Sequence, residues 1–372
     1  MNEVFPIIFQ KYPGLKNIPW IKLTETPTPI EKLSNLGKEL EFNSLYIKRD
    51  DICNSIYGGN KPRKFEFVLA DILKKNRKNI ITMGGIGTNH GLAQTILCRQ
   101  VEKVKNIKLN SYVFVFDQTL TSHVRKNLLL EQYYGSKLIY CKSMFSCILK
   151  ILFKYIFTPK CYFVWPGASR PIGTIGFVNA AYELKEQIDK SIVPEPDYIF
   201  LPVGSTGTAA GLLLGCEMQK LKTKIYGVCV TDLKFCNSIK VVELAFNTWK
   251  LIKKYDKSIP NIERNDLFKR LIIDTNYFGG EYGLPTSEGI NAIKLLKRTE
   301  NLEFEPTYTG KTWAALIDFI KNNKENLKDK IILYWNTLNS RSHEEELQNI
   351  DYCSLPKQFH KFFNNSIPLF EI

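Results

Sequence analysis

The sequence predicts an α/β fold in which parallel strands alternate with crossover helices, spread over two domains. Three observations carry that prediction. Short apolar runs alternate with helical patterns along most of the chain, as in successive βα units. Two of those runs pass through glycine-rich turns straight into helical segments. The 372 residues exceed the roughly 250 to 300 that a single hydrophobic core organises.

The elements follow in order. SLYIKRD at 44–50 is a strand, and the chain then reaches YGGNKPRKFEF (57–67), where two glycines and an asparagine precede Lys61 and a helix opens. NIITMGG (79–85) is a second strand; it turns through IGTNHG and places Thr88, Asn89 and His90 at the start of a helix. SYVFVFD (111–117) and SKLIYC (136–141) are further strands. The run MFSCILKILFKYIF (144–157) is too short to span a bilayer and is broken by Lys150 and Lys154, so it reads as an amphipathic or largely buried helix. DYIFLPV (197–203) leads through GSTGT into an apolar helix, and KIYGVCV (224–230) and KIILYWN (330–336) complete the strands. With no Gly/Ser linker to divide the chain, the polar turn after residue 81 and the Pro/Gly-rich stretch WPGASRPIGTIG are the best boundaries. Residues 82–172 are then expected as a small domain, with 1–81 and 173–372 forming the large one.

Composition narrows the functional classes. Hydrophobic residues at 44% and charged residues at 24% are the balance of a folded globular protein. A net charge of +14 would suit a polyanion partner if clustered, but the lysines are scattered, so neither nucleic acid nor a membrane is expected as a partner. The N-terminal MNEVFPIIFQKYPG lacks a basic start followed by a long apolar core, so no signal peptide is expected. Nine cysteines form no C-x-x-C pair, which suits reduced thiols in a cytoplasmic setting. The four histidines stand apart from one another and from cysteine pairs, so no metal site is expected.

The chemistry concentrates in the turns. Gly204, Ser205, Thr206, Gly207 and Thr208 lie between a strand and a helix, where backbone N–H groups and hydroxyls can cradle a phosphate; the same residues also suit a plain tight connection. Thr88, Asn89 and His90 sit where exposed N–H groups suit a carboxylate, or where Thr88 or Asn89 simply caps the helix.

Taken in order, KRDDICNSIYGGNKPRKFEFVLAD, GGIGTNHGLA, TSHVRKNLLL, GASRPIGTIGFVNAAYEL, GSTGTAAGL, EYGLPTSEG and YTGK resemble the pyridoxal 5′-phosphate enzymes of fold-type II, specifically the D-cysteine desulfhydrase and 1-aminocyclopropane-1-carboxylate deaminase family. The resemblance runs from about residue 22 to about residue 340. It implies two open, twisted, mostly parallel sheets with flanking helices, as in the tryptophan synthase β fold, a large domain that binds pyridoxal phosphate, and a homodimer. It implies that Lys61 holds the cofactor as a Schiff base, that Lys64 is directed at the cofactor phosphate and that Gly204 to Thr208 form the phosphate cup. Asn89 is implied to bond the phenolic oxygen, while Thr88, Asn89 and His90 receive the substrate carboxylate. Tyr282 and Tyr308 match the two active-site tyrosines, and Thr309 and Thr337 would offer neutral hydroxyls to the ring nitrogen.

Departures shift the expected reaction. Thr88 replaces the serine common in the family, and Thr309 stands where ring-opening deaminases carry glutamate, which leans the chain toward the desulfhydrase branch. YWNTLNSRS replaces a glycine-rich turn, keeping Thr337 but adding bulk. The expected activity is α,β-elimination on a small amino acid, with D-cysteine or a β-substituted analogue giving a 2-oxo acid, ammonia and sulfide. Ring opening, racemisation and β-replacement are alternatives on the same cofactor, and a non-catalytic basic ligand-binding protein is the alternative of another class.

Overall fold

The structure is a computed structural model that describes residues 5–364. The backbone divides into two compact units: one runs to Phe67 and resumes over Ser169–Ser340, and the other holds Val68–Ala168 and the segment from Arg341 onward. In chain order the strands among the described residues are β1 (Ile30–Lys32), β2 (Leu45–Lys48), β3 (Asn79–Gly85), β4 (Asn110–Phe116), β5 (Lys137–Cys141), β6 (Cys161–Phe163), β7 (Tyr198–Val203), β8 (Lys224–Cys229), β9 (Leu271–Asp274) and β10 (Ile332–Trp335).

The first unit carries a six-stranded sheet in the order β1-β2-β10-β7-β8-β9. Every pairing in it is parallel except β1 with β2. Strand composition explains the order. β10 is buried along its whole length and β7 nearly so, as central strands covered on both faces must be, whereas β1 exposes two of its three residues and takes an edge. Alternation sorts the side chains: Leu333 and Trp335 enter one core with Ile199 and Leu201, while Ile332 and Tyr334 enter the other with Phe200. The helices Pro171–Asp189 and Gly207–Met218 supply the first core, and the helices Ser287–Glu300 and Thr309–Asn322 the second.

The second unit carries a four-stranded sheet, β5-β4-β3-β6, with all pairings parallel. Val113, Val115 and Leu138 point into a core closed by Val124 and Leu128, together with Leu355, Phe359 and Phe362 from the C-terminal segment. Tyr112, Phe114 and Cys141 point to the other face, where the helix Met144–Phe157 covers them with Cys147 and Ile151.

Three differences from the sequence expectation have physical causes. β1, β6 and β9 were not foreseen, because they are three or four residues long and offer no alternation to read. The second unit starts at Val68 rather than 82, ends its first segment at Ala168 rather than 172, and includes the chain from Arg341 onward, which was expected in the large domain. That last segment is fastened by the Phe359 and Phe362 packing, by the Arg125 Nε donation to the Phe362 carbonyl at 2.8 Å and by the Tyr134 hydroxyl on Glu346 at 2.6 Å. Finally, the apolar helix Met144–Phe157 is amphipathic only in part, since Cys147 and Ile151 are its buried residues. Among the described residues no helix is long and apolar enough to cross a membrane.

Candidate active site

Lys61 owes its position to the glycines before it. Gly59 has φ +80°, and a Cβ there would lie 2.5 Å from the Thr337 carbonyl and 2.6 Å from that of Leu338, so only glycine lets the chain pass this close to the end of β10. The Gly59 N–H donates to the Asp50 carbonyl at 2.7 Å and the Asn60 N–H to the Thr337 carbonyl at 3.3 Å. The helix Asn60–Lys74 then begins. One turn in, Arg63 clamps that helix to the sheet: its guanidinium donates to both Asp50 oxygens at 2.7 and 2.8 Å and to Glu183 at 2.8 Å. Lys48 joins Glu183 at 2.6 Å, and the Trp335 indole donates to Asp50 at 2.7 Å. Desolvation pushes the Glu183 carboxyl up, but the charges of Arg63 and Lys48 outweigh it and hold the group well below its ordinary value. Removing any one partner would leave a buried charge exposed to an apolar interior, which is what makes this network a rigid base for Lys61.

Lys61 is half-buried, and its Nζ donates to its neighbour's Asn60 Oδ1 at 2.8 Å. Burial lowers the amine to about 8, so a substantial neutral fraction exists near physiological pH, as a nucleophilic or basic lysine requires. Asn60 also donates through Nδ2 to Thr208 Oγ1 at 3.0 Å, which ties the lysine to the glycine-rich turn.

In that turn, Thr206 adopts φ +67° and Gly207 opens the helix Gly207–Met218 without a side-chain cap. Ser169 Oγ stands against it, accepting from the Gly207 N–H at 3.2 Å and donating to Ser205 Oγ at 2.8 Å. A Cβ on Gly207 would fill the cradle, meeting Ser169 Oγ at 2.6 Å and Lys64 Nζ at 3.0 Å. Lys64 is only 1% exposed; burial first, and then the charge of Lys61, push its amine well below the ordinary value. A buried lysine amine, the hydroxyl residues Ser169, Ser205, Thr206 and Thr208 and a helix N-terminus around an empty Cβ position are a donor set for a phosphate group. The residues therefore fit a phosphate-bearing cofactor held by a lysine.

The Tyr308 ring borders the same turn, its Cε1 lying 3.5 Å from a Cβ placed on Gly204. Its hydroxyl meets that of Tyr282, and the two rings pack edge to face with centroids 6.1 Å apart. Burial raises both phenols above their ordinary value, so both stay protonated at neutral pH and can donate. Thr309 is fully buried and turned elsewhere: its hydroxyl bonds Glu305, whose carboxylate also accepts from the N–H groups of Thr307, Tyr308 and Thr309 at 2.7 to 2.8 Å. Thr337 contributes its carbonyl to Asn60 at the helix start.

In the second unit β3 turns into the helix Asn89–Lys105, and Thr88 Oγ1 caps it by accepting from the Gly91 N–H at 3.3 Å. His90 is buried and Asn89 half-buried. Asn89 Oδ1 lies 2.8 Å from His123 Nε2 and accepts from Asn127 Nδ2 at 2.9 Å, while Asn127 also donates to the Gly87 carbonyl at 2.8 Å. With its oxygen so engaged, the Asn89 side chain is oriented with its amide N–H₂ as the donor end.

The structure thus groups Lys61, Lys64, Gly204 to Thr208, Tyr282 and Tyr308 in one unit and Thr88, Asn89 and His90 in the other. Asn60, Ser169, Glu305, His123 and Asn127 were given no role from sequence. Four of them sit inside or beside the quoted motifs, and the signal that could have found them is a polar side chain next to a lysine or glycine turn. Among the described residues no group of His, Cys, Asp and Glu is arranged to hold a metal.

Comparison with known proteins agrees with this chemistry. The chain is 29% identical to a D-cysteine desulfhydrase of Serratia proteamaculans over 83% of its length and 91% of that protein's. It is 30% identical to a putative 1-aminocyclopropane-1-carboxylate deaminase of Pyrococcus furiosus, covering 89% of this chain and 94% of that one. A solved ACC deaminase homologue superposes with a TM-score of 0.73 at 26% identity, over 93% of this chain and 99% of that one. The processed threonine deaminase isoform 2 of Solanum lycopersicum, at 15% identity and a TM-score of 0.56 over 92% and 90% of the two chains, shares the fold. Residues 21–337 match the family described as pyridoxal-phosphate dependent enzyme, and the chain belongs to that family, with the fold of two mostly parallel sheets and the pyridoxal phosphate cofactor that go with it.

Proposed function

We propose that the protein is a lyase that eliminates the β-substituent of D-cysteine or a close analogue, giving a 2-oxo acid, ammonia and, from cysteine, sulfide. The observation that carries the reading is the Asn60 bridge, which joins the lysine of GGNK to a turn with the donor set for a phosphate. Bound pyridoxal phosphate supplies the conjugated electron sink for the carbanion left at Cα.

The chain's own groups do the rest. Lys64, Ser205, Thr206, Gly207 and Thr208 hold the phosphate, with Ser169 setting the Ser205 hydroxyl. Lys61 moves the proton at the substrate Cα, its lowered amine leaving it able to accept one at neutral pH. Tyr282 and Tyr308, kept protonated by burial, are donors to a departing thiolate. In the second unit the oriented Asn89 amide, with Thr88 and His90, makes a helix start suited to a carboxylate or phenolic oxygen. Thr337 offers no carboxylate to a ring nitrogen, and Thr309 has its hydroxyl turned to Glu305, which favours loss of a good leaving group over opening of an unactivated ring.

Ring opening of 1-aminocyclopropane-1-carboxylate is the second reading, favoured by the name of the Pyrococcus furiosus relative. Purified holoprotein given each substrate distinguishes the two. Sulfide release from D-cysteine is expected to exceed 2-oxobutyrate formation by at least about tenfold in kcat/KM, roughly 1.4 kcal/mol in the transition state; comparable values reject the branch. The reading includes a homodimer in the cytoplasm, in keeping with eight buried, unoxidised cysteines among the described residues.

A further inference from the structure

The helix Met144–Phe157 is the largest feature of the molecule that the proposed reaction leaves unused. Nine of its fourteen residues are large apolar side chains exposed by 44% to 72%, and they make up half of all such exposed side chains among the described residues. At about 100° per residue, Phe145, Ile148, Leu149, Leu152, Phe153 and Ile156 share one face, and Cys147 and Ile151 hold the opposite face to the sheet. A patch of this kind on a folded protein marks a surface that meets another apolar phase.

Charge decides which phase. From Gln132 to Tyr182 the chain contains no Asp or Glu, while Lys137, Lys142, Lys150, Lys154 and Lys160 fall in or beside the helix. Lys150 and Lys154 rim a groove with Phe114, Ile139, Leu149 and Phe153; Lys150 Nζ donates to the Tyr140 carbonyl at 2.8 Å and Lys154 Nζ lies 4.3 Å from the Tyr112 ring centre. These lysines occupy one edge of the apolar face, with their stems on apolar surface and their ammonium groups held at its border by Tyr140 and Tyr112. Two copies paired through this face would bring lysine edges together with no carboxylate on the helix to answer them. An anionic lipid surface answers both features: acyl chains for the face and headgroups for the lysines. Fourteen residues span roughly 21 Å, short of the roughly 30 Å hydrocarbon core, so such a helix lies in the plane of the surface.

We infer that this helix seats the protein peripherally on anionic membrane, with its axis in the interface. Holoprotein is floated with vesicles of phosphatidylcholine alone and of phosphatidylcholine mixed with phosphatidylserine, beside the variants Phe153→Glu/Ile156→Glu and Lys150→Glu/Lys154→Glu. All four positions are at least partly exposed, so unchanged melting temperature and cofactor absorbance certify the fold. Wild type is expected on the mixed vesicles at least about tenfold more tightly than on phosphatidylcholine, with both variants losing at least about tenfold and added salt weakening wild-type binding. Absence of wild-type binding to mixed vesicles, or binding that survives the Phe153→Glu/Ile156→Glu change, overturns the inference. So does a wild-type dimer in sedimentation that this double variant turns to monomer, which would assign the face to a second copy.

Discussion

Two strand–turn–helix units of the molecule look alike in sequence and differ in what they leave open. After β7 the helix Gly207–Met218 starts from a left-handed Thr206 without a side-chain cap, and the nearest side chains are a serine hydroxyl and a buried lysine. After β3 the helix Asn89–Lys105 is closed by Thr88, and the neighbours of its first residue are an amide and an imidazole. The first arrangement keeps N–H groups and a cation for a doubly charged phosphate. The second spends its cap on itself and presents one oriented amide, which suits a neutral or singly charged oxygen. A glycine turn before a helix is therefore not one kind of site: the side chains brought to it from elsewhere set the charge it accepts.

The comparison can be broken at several points. Lys61→Ala removes the group that moves the proton, so turnover should fall by at least about 10³-fold while the melting temperature holds; a variant that eliminates at the wild-type rate without added amine would remove Lys61 from the reaction. Gly207→Val puts methyl groups where Ser169 Oγ and Lys64 Nζ already stand, and equilibrium dialysis should show pyridoxal phosphate held about 100-fold more weakly. The same readout on Gly84→Ala, whose nearest crowding is Thr88 in the other turn, should change little; equal losses would erase the distinction.

Lys64 gives a pH signature. Burial and the charge of Lys61 lower its amine, and a bound phosphate raises it again. Cofactor binding should take up a proton and weaken as pH rises. Calorimetry in buffers of different ionisation enthalpy should detect that proton in wild type, and Lys64→Met should bind about tenfold more weakly without it. The smallest effect is expected at Asn127, where Leu would free the Asn89 amide to turn; KM for the amino acid should rise a few-fold, about 1 kcal/mol, with kcat changed less.

What the sequence revealed and what it concealed divide along a physical line. Local geometry was legible: Gly59, Asn60 and Lys61 read correctly as a tight turn into a helix, and β3 begins and ends where its apolar run does. Partnerships across the chain were not. Asp50, Arg63 and Glu183 each look like surface charges in their own segments, and only folding shows them neutralising one another in the core. Ser169 lies within GASRPIGTIG in sequence, and only the fold brings it to the turn 36 residues on. Thr309 was assigned to the ring nitrogen from its place after Tyr308, but Glu305 takes its hydroxyl, a contact four residues away that a helix-capping reading would have caught. The helix Met144–Phe157 was read as amphipathic or buried because apolar periodicity reports which residues share a face and not what that face meets.

Lys61, set by Gly59 and tied through Asn60 to the phosphate turn, is the residue proposed to be joined to the cofactor. The most direct test is borohydride reduction of the holoprotein followed by peptide mapping. The pyridoxyl mass is expected on the peptide that contains Lys61, with the visible absorption band lost in step. A modified Lys64 or any other lysine, with Lys61 unmodified, would contradict it.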